Sequence, residues 1–516
     1  MTAPLFSRAQ RFIVAWLALL PTLPFLSVLS LGSLHWRALP RQFQLIFAVM
    51  ATTQMIAAAL SPSPLLSLAL AAGRLLLVLA LIGAGHRLQT AQLRWALVGL
   101  GVVYVTAYAD ALLGQRSASL LTIRLLHPFL TPPSLGLAGA AGVLLAVAAS
   151  GAALWWRLPV GLLALSVCVL SGSRSPLLGL LVGLLVILTA RRRRWAALLV
   201  GGLAFLALTA AGTLSTNSVL ERYASISNTD RDLIWNNTLS VIQPHLWSGV
   251  GPYQLGGFLQ PPGQSCELWP SLTARGVGCP LAVQHLQGAW LIAHNLMLHQ
   301  LAETGLIGTL GYALLLGLAV PLMLRSSLPV AGLSPLLLVA SLVDNVLLVP
   351  SPFFAELFWI GLGMALREGA TSGTPSAVLL APTRLVLSAC AVAGLYLYPL
   401  WTSLWPHPRP TTVQVVAASG ARHWPRNQPY RVDVLLQGHG SYRVVLRGCL
   451  SSCRTLGMLP VNLDSVSSQP WDGWLEERLP TAPGRATRVL LELYPLNAPP
   501  FSIQPLARSS WLVDER

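Results

Sequence analysis

The chain is 516 residues long, 54% hydrophobic and only 10% charged, with a mean hydropathy of +0.64. A soluble domain carries roughly 25% charged residues, so this composition excludes an ordinary soluble protein and places most of the chain in lipid. The net charge of +16 sits mostly in arginines flanking apolar runs, which fits topology and contact with anionic headgroups and offers no footprint for nucleic acid.

Lysine is absent, and all 33 basic residues are arginine. That excludes a Walker-type phosphate site, a Schiff-base lysine and a Ser/Lys dyad.

The N-terminus has a basic start at Arg8 and Arg11 and then an apolar run. No small-residue cleavage site follows, which predicts an uncleaved first segment. Runs long enough for a bilayer core of ~30 Å lie at about 12–33, 43–60, 65–85, 94–113, 133–155, 157–171, 175–190 and 195–213. After a polar stretch they resume at about 302–324, 329–350, 352–366 and 376–402. The break Pro21-Thr22-Leu23-Pro24 suggests a short hairpin or re-entrant pair in the first run, so about 12 or 13 transmembrane helices are expected.

Orientation follows from Arg191, Arg192, Arg193 and Arg194. Four arginines in a turn between two spans are best left in the cytoplasm. Counting forward puts the polar stretch and the tail on the other side. The predicted organisation is an N-terminal transmembrane bundle (1–213), a large extracytoplasmic loop (214–293), C-terminal transmembrane helices (294–402) and an extracytoplasmic β-rich domain (403–516). In that tail Thr411–Ala418, Tyr430–Gln437, Tyr442–Arg447 and Thr487–Tyr494 alternate or run apolar at strand length. Gly, Pro, Ser and Asn punctuate them, as in a small β-sandwich. The fold class is therefore a polytopic α-helical membrane protein with a C-terminal extracytoplasmic β-sandwich-like domain.

Of the six cysteines, Cys168 and Cys390 lie inside apolar runs and read as packed thiols. Cys266 and Cys279 share the large loop, and Cys449 and Cys453 share the tail. Two local pairs on the extracytoplasmic side suit disulfides in an oxidising compartment, with free thiols as the alternative. Neither pair offers enough ligands for zinc.

Three places put strong polar groups at the outer membrane face. The first is the turn Ser171-Gly172-Ser173-Arg174-Ser175-Pro176, with Arg174 at the interface; the competing reading is an arginine snorkelling to headgroups. The second is Thr229-Asp230-Arg231-Asp232-Leu233-Ile234-Trp235. Arg231 and Trp235 are spaced to share a helix face, either in a site or on a surface amphipathic helix. Asp230 and Asp232 also spell the Asp-x-Asp of metal-dependent sugar transferases, a short match of little weight.

The third place is Ala293–Gly305, where the polar stretch returns to an apolar run with His294, Asn295, His299 and Glu303. Polar groups at membrane depth are functional candidates by default. On an ideal helix His294 points with Leu298 and Leu301, while Asn295, His299 and Glu303 share a second face. Glu303 can orient His294 only if the helix begins after His294. Asp344 and Asn345 sit in a later apolar run. Asp110, Arg116, Arg124 and His127 lie at or beyond the outer end of the fourth span, and Arg74 lies mid-span. Arg74 and Asp344 can equally form a structural pair.

Ser-Gly-Ser-Arg at 171–174, Asp-Arg-x3-Trp at 230–235, Pro-x4-Gly-Val-Gly at 244–251 and His-Asn-x7-Glu-x-Gly at 294–305 occur in that order. Together they resemble the O-antigen ligase / O-antigen polymerase superfamily, which includes bacterial protein O-oligosaccharyltransferases. The resemblance covers about 130–370; the last span and the β-rich tail exceed it. It implies glycan transfer from a polyprenyl-diphosphate carrier to a lipid, glycan or protein acceptor hydroxyl at the outer face of the bacterial cytoplasmic (inner) membrane. It implies Arg174 and Arg231 as diphosphate clamps and His294 as the catalytic histidine, with no metal, nucleotide or other cofactor. Asn295, His299, Glu303, Trp235 and Asp344 are the accompanying substrate-side candidates.

The chemistry agrees with the resemblance. A lipid diphosphate gains charge as it leaves, and guanidinium groups offset that charge bidentately. An imidazole is the common base for an acceptor hydroxyl. A repeat-unit polymerase and a protein transferase share these motifs. The non-enzymatic alternatives are a glycan transporter, whose paired repeats and midplane broken helices the sequence does not display, and an assembly scaffold.

Overall fold

The computed structural model describes residues 8–34, 36–113, 124–149, 154–191, 231–259, 291–371, 381–400, 413–420, 423–424, 430–438, 440–449, 453–463, 471–477, 487–495 and 505–515. The chain forms two compact units. One comprises Met1–Met55, Ala69–Ser225 and Leu310–Ala393; the other comprises Ile56–Leu68, Ile226–Thr309 and Gly394–Arg516.

The first unit is helical. α1 (Arg8–Leu19) stops before the Pro21–Pro24 break, and a 3₁₀ helix follows at Pro24–Ser33. Then come α2 (Arg41–Ala59), α3 (Pro64–Arg87), α4 (Ala96–Leu113), α5 (Pro132–Ala148), α6 (Leu154–Leu170) and α7 (Arg174–Ala190). The facing ends of α2 and α3, Ile56–Leu68, belong to the second unit. Later in the chain lie α10 (Leu296–Leu324), α11 (Leu328–Ala340), α12 (Phe354–Thr371) and α13 (Pro382–Tyr396).

Four helices among the described residues are long and apolar enough to cross a membrane: Arg41–Ala59, Pro64–Arg87, Thr90–Leu113 and Leu296–Leu324. The expected 12 or 13 crossings are matched only in part, because α5, α6, α7, α11 and α13 have 13 to 17 residues. At ~1.5 Å per residue these reach roughly 20–26 Å, short of a ~30 Å core without flanking segments. The predicted span at 195–213 lies outside the described residues, as does most of 214–293.

Small residues let these helices approach closely, as packing between lipid-solvated helices requires. A Cβ on Gly183 of α7 would lie 2.6 Å from the Gly332 carbonyl of α11, and one on Gly139 of α5 would lie 2.6 Å from the Ala164 carbonyl of α6. Large apolar side chains meanwhile face outward, Leu113 at 84% and Leu387 at 69% exposure, on a scale that soluble monomers do not show. Cys168 is packed as expected, but Cys390 is exposed. It lies on α13, most of whose surface is uncovered by protein, so an apolar run here signals a lipid-facing helix rather than a packed thiol.

The apolar run at 329–350 is not one helix. α11 ends at Ala340, and residues 341–353 are non-helical. Pro350 and Pro352 lack the N–H that a helix needs. Ser351 starts α12 instead: its hydroxyl accepts from Ala355 N at 2.9 Å, and Glu356 accepts from Ser351 N at 2.8 Å.

The second unit holds α8 (Arg231–Ile242), α9 (Leu255–Leu259), the start of α10 and a β-rich tail. The tail strands are β1 (Val413–Gly420), β2 (His423–Trp424), β3 (Tyr430–Gly438), β4 (Gly440–Cys449), β5 (Cys453–Leu463), β6 (Trp471–Glu477), β7 (Thr487–Pro495) and β8 (Ala507–Glu515). They form a three-stranded sheet, β1-β3-β6, and a five-stranded sheet, β2-β8-β7-β4-β5. All pairings are antiparallel except the short β2–β8 pair. Alternate residues of both sheets, among them Val432, Leu436, Val444, Leu491 and Val513, enter one apolar cluster, as period-two side-chain alternation allows.

Cys449 and Cys453 are joined by a disulfide at the β4–β5 turn; Cys266 and Cys279 lie outside the described residues. On the other face of β7, Glu492 is fully buried among Arg447, Arg508 and Tyr494. Burial pushes its carboxyl up, but the two guanidinium groups and the Tyr494 hydroxyl together hold it below the usual carboxylate range.

Candidate functional site

The site is organised by a break in α10. At Gly305 the backbone takes φ 59°, ψ −167°, a region open essentially to glycine alone. Such a break frees backbone groups that membrane depth cannot leave unpaired. The segment around the Pro-x4-Gly-Val-Gly motif takes them up. Val250 N and Gly251 N donate to the carbonyls of Ala302 and Glu303 at 2.9 and 2.8 Å, and Leu306 N and Ile307 N donate to Leu246 and Trp247 at 2.8 and 3.2 Å. A Cβ on Gly249 would collide with the Glu303 backbone, and one on Gly305 with Trp247. Both glycines have positive φ, so the two motifs are one interlocked element.

The same interlock orders the side chains. Glu303 Oε1 accepts from Tyr253 N at 2.6 Å. His299 Nε2 lies 3.2 Å from Glu303 Oε1, with side-chain exposures of 2% and 1%; the contact is off the line of a hydrogen bond. His299 Nδ1 accepts from Ala293 N at 3.4 Å.

The helix begins after His294. Asn295 is its cap, its side-chain oxygen accepting from Leu298 N at 2.9 Å. His294 precedes the cap in a left-handed turn, φ 48°, so it does not share the helical face with Leu298 and Leu301 that ideal periodicity gives it. Its ring is half-buried, and its carbonyl accepts from Trp235 Nε1 at 3.4 Å. Trp235 is fully buried and meets Tyr398 edge-on, centroids 5.4 Å apart. Arg231 stands one turn before Trp235 on α8, half-buried. Asp230 lies outside the described residues.

The second unit thus gathers Arg231, Trp235, His294, Asn295, His299 and Glu303, while Arg174 and Asp344 lie in the first. Arg174 opens α7 directly after the Ser171–Ser173 turn. Arg124 braces that turn through a 2.8 Å bond to the Gly172 carbonyl, and Leu125 N donates to Leu170 at 2.9 Å. The positive end of the helix macrodipole therefore adds to the Arg174 charge. Asp344 is half-buried in the non-helical stretch and accepts from Asn345 N at 2.8 Å. Arg74 donates to Gln54 Oε1 at 3.0 Å. His127 Nε2 lies 2.8 Å from Thr106 Oγ1, its pKa lowered by burial against the opposing pull of Asp110. Arg116 lies outside the described residues.

Some participants had no signal of their own in the sequence. Tyr253, at φ 59°, supplies the backbone N–H that holds Glu303; its place two residues after the Gly-Val-Gly is the single hint. Gln254 Nε2 donates to Ser67 Oγ at 2.6 Å, tying in the first turn of α3. Among the described residues, no group of three or more His, Cys, Asp or Glu is placed to hold a metal ion.

Residues 159–313 match the family model described as O-Antigen ligase. The matched stretch contains all four motifs. No curated protein and no solved structure matches the chain.

Proposed function

We propose that this chain, whose residues 159–313 match the O-antigen ligase family model, transfers a glycan from a polyprenyl-diphosphate carrier to an acceptor hydroxyl. The setting is the outer face of the bacterial inner membrane, with the loop after α7 and the β-rich tail extracytoplasmic. The shared apolar cluster of the two sheets supports reading that tail as a sandwich.

In this reading the acceptor oxygen bonds to the anomeric carbon while the bond from that carbon to the diphosphate breaks. The hydroxyl proton passes to His294, and the polyprenyl diphosphate leaves with the bonding pair. Arg174 and Arg231 offset the charge that develops on it, so no divalent cation is needed. His299 and Glu303, buried against the backbone of Ala293 and Tyr253, hold the His294 turn rather than touch sugar. Asn295 fixes the helix start. Trp235 joins the His294 carbonyl to the helix of Arg231, and Asp344 faces the acceptor or donor sugar.

The observation that carries this reading is the His294 turn itself. It is a half-buried imidazole in a left-handed conformation, capped behind by Asn295 and tied to Trp235, one helical turn from Arg231. A scaffold-only protein has no need to hold an imidazole this way.

The test has two arms. A deletion strain is analysed for lipid-linked glycan: accumulated long chains identify a ligase, accumulated single repeats a polymerase, and unchanged pools contradict both. Purified Arg174→Ala and Arg231→Ala are each expected to lose about 10²–10³-fold in turnover on lipid-linked donor, the usual effect of removing one charge-stabilising donor. Lysine at either position should restore only part, because it lacks the planar fork. Wild-type turnover in both alanine variants would contradict the clamp.

A further inference from the structure

We propose that the C-terminal β-domain is a positioning element of the transfer site, which fixes the helix carrying Arg231 and Trp235 through Asn236 and Ser240. The inference rests on the transferase reading above.

α8 is held on two faces. Ile234, Trp235, Val241 and Ile242 pack into one apolar cluster with Leu291, Ala293, Leu298 and Leu301, the walls of the His294 turn. Asn236 and Ser240 are four residues apart and so share another face. Both reach the tail: Asn236 Nδ2 donates to the Tyr494 hydroxyl at 2.5 Å, and Ser240 Oγ, whose proton goes to the Asn237 carbonyl at 2.7 Å, lies 3.3 Å from the Cys453 carbonyl. One contact falls near the end of β7, the other at the start of β5.

The β-domain side of this contact is built to be rigid. The Tyr494 hydroxyl donates to Glu492 Oε2 at 2.8 Å and accepts from Arg447 Nη2 at 3.2 Å as well as from Asn236. A phenol offers one proton and two lone pairs, so Tyr494 is saturated and has one orientation. Glu492 is clamped in turn: Arg447 Nε lies 2.8 Å from its Oε2, and Arg508 Nε donates to Oε1 at 2.8 Å. The Cys453 carbonyl belongs to the hairpin base that the Cys449–Cys453 disulfide closes.

A buried ion network adds little stability over apolar packing, and its best-attested use is to specify one arrangement. Here the network ends on the helix that carries the proposed phosphate clamp. A shift of ~1 Å in a group that positions substrate can cost ~10²-fold in rate. A loosely tethered accessory module would leave α8 free to make that shift.

The test uses the full chain purified into lipid, with Tyr494→Phe, Asn236→Ala and the double variant. Each single variant is expected to lower turnover on lipid-linked donor about 10-fold, as loss of one aligned hydrogen bond and the resulting misplacement imply. The acceptor KM should stay at its wild-type value in each, the thermal unfolding midpoint should stay there in Asn236→Ala, and the double variant should be no slower than the worse single one. Amide hydrogen exchange across 231–242 should quicken while β4 and β7 stay protected.

Unchanged turnover in both single variants, effects that multiply in the double, or unchanged exchange across 231–242 would overturn the proposal. Arg231→Ala in the same series separates the two claims. If it turns over at the wild-type rate, the Arg231 clamp fails, while the exchange of α8 still decides whether the β-domain fixes that helix.

Discussion

His294→Asn is expected to lower glycan transfer by about 10²–10⁴-fold, the range that a positioned general base supplies. Asparagine is the informative replacement because it tolerates the left-handed conformation that His294 adopts at φ 48°. The turn, the Asn295 cap and the Trp235 bond to the residue-294 carbonyl therefore survive, and only the imidazole is lost. The rate is measured on purified protein with lipid-linked donor, alongside the unfolding midpoint. A rate within a few-fold of wild type at an unchanged midpoint would remove His294 from the chemistry.

Gly305→Ala should damage the fold itself. The backbone conformation there costs a side-chain-bearing residue about 1–3 kcal/mol, and the new Cβ would land on the Trp247 backbone, adding about 1–3 kcal/mol of overpacking. Relief means drawing 244–251 away from α10 and breaking the four backbone bonds that join them. The expected outcome is a lower unfolding midpoint, poor accumulation in the membrane and loss of transfer together. Gly257→Ala is the control, since nothing lies within 4 Å of a Cβ there, and it should behave as wild type. A Gly305→Ala protein with normal level and rate would mean that the interlock does not hold the site.

How far the sequence exposed this architecture varies by element. The long apolar helices followed from hydropathy, and the tail strands from alternation, because both signals are local. The helix start at Asn295 has no local signal. It depends on the left-handed turn at His294, held partly by the Trp235 indole 59 residues earlier in the chain, and no local pattern encodes that. Likewise Gly305 read as one member of a motif, and Gly249 and Gly251 as members of another. Their interlock is a matter of backbone hydrogen bonds, which side-chain patterns do not report.

The run at 329–350 looked like a single span because leucine and valine dominate it. α11 nonetheless stops at Ala340, and residues 341–353, with Pro350, Pro352 and the Ser351 cap at their end, carry no helix. Cys390 looked packed because hydropathy does not distinguish protein from lipid as the apolar solvent. The contact between Asn236 and Tyr494 joins residues 258 apart. Neither residue stands out in sequence, so the link between α8 and the tail emerges only from the fold.

The most direct test of the central claim, that arginine side chains rather than a divalent cation carry the leaving diphosphate, is turnover of the purified chain in lipid on polyprenyl-diphosphate glycan with a strong chelator present. The account predicts the wild-type rate to be unchanged by the chelator and to fall when Arg174 or Arg231 is replaced by alanine. Loss of turnover on chelation, restored by adding back a divalent cation, would contradict it.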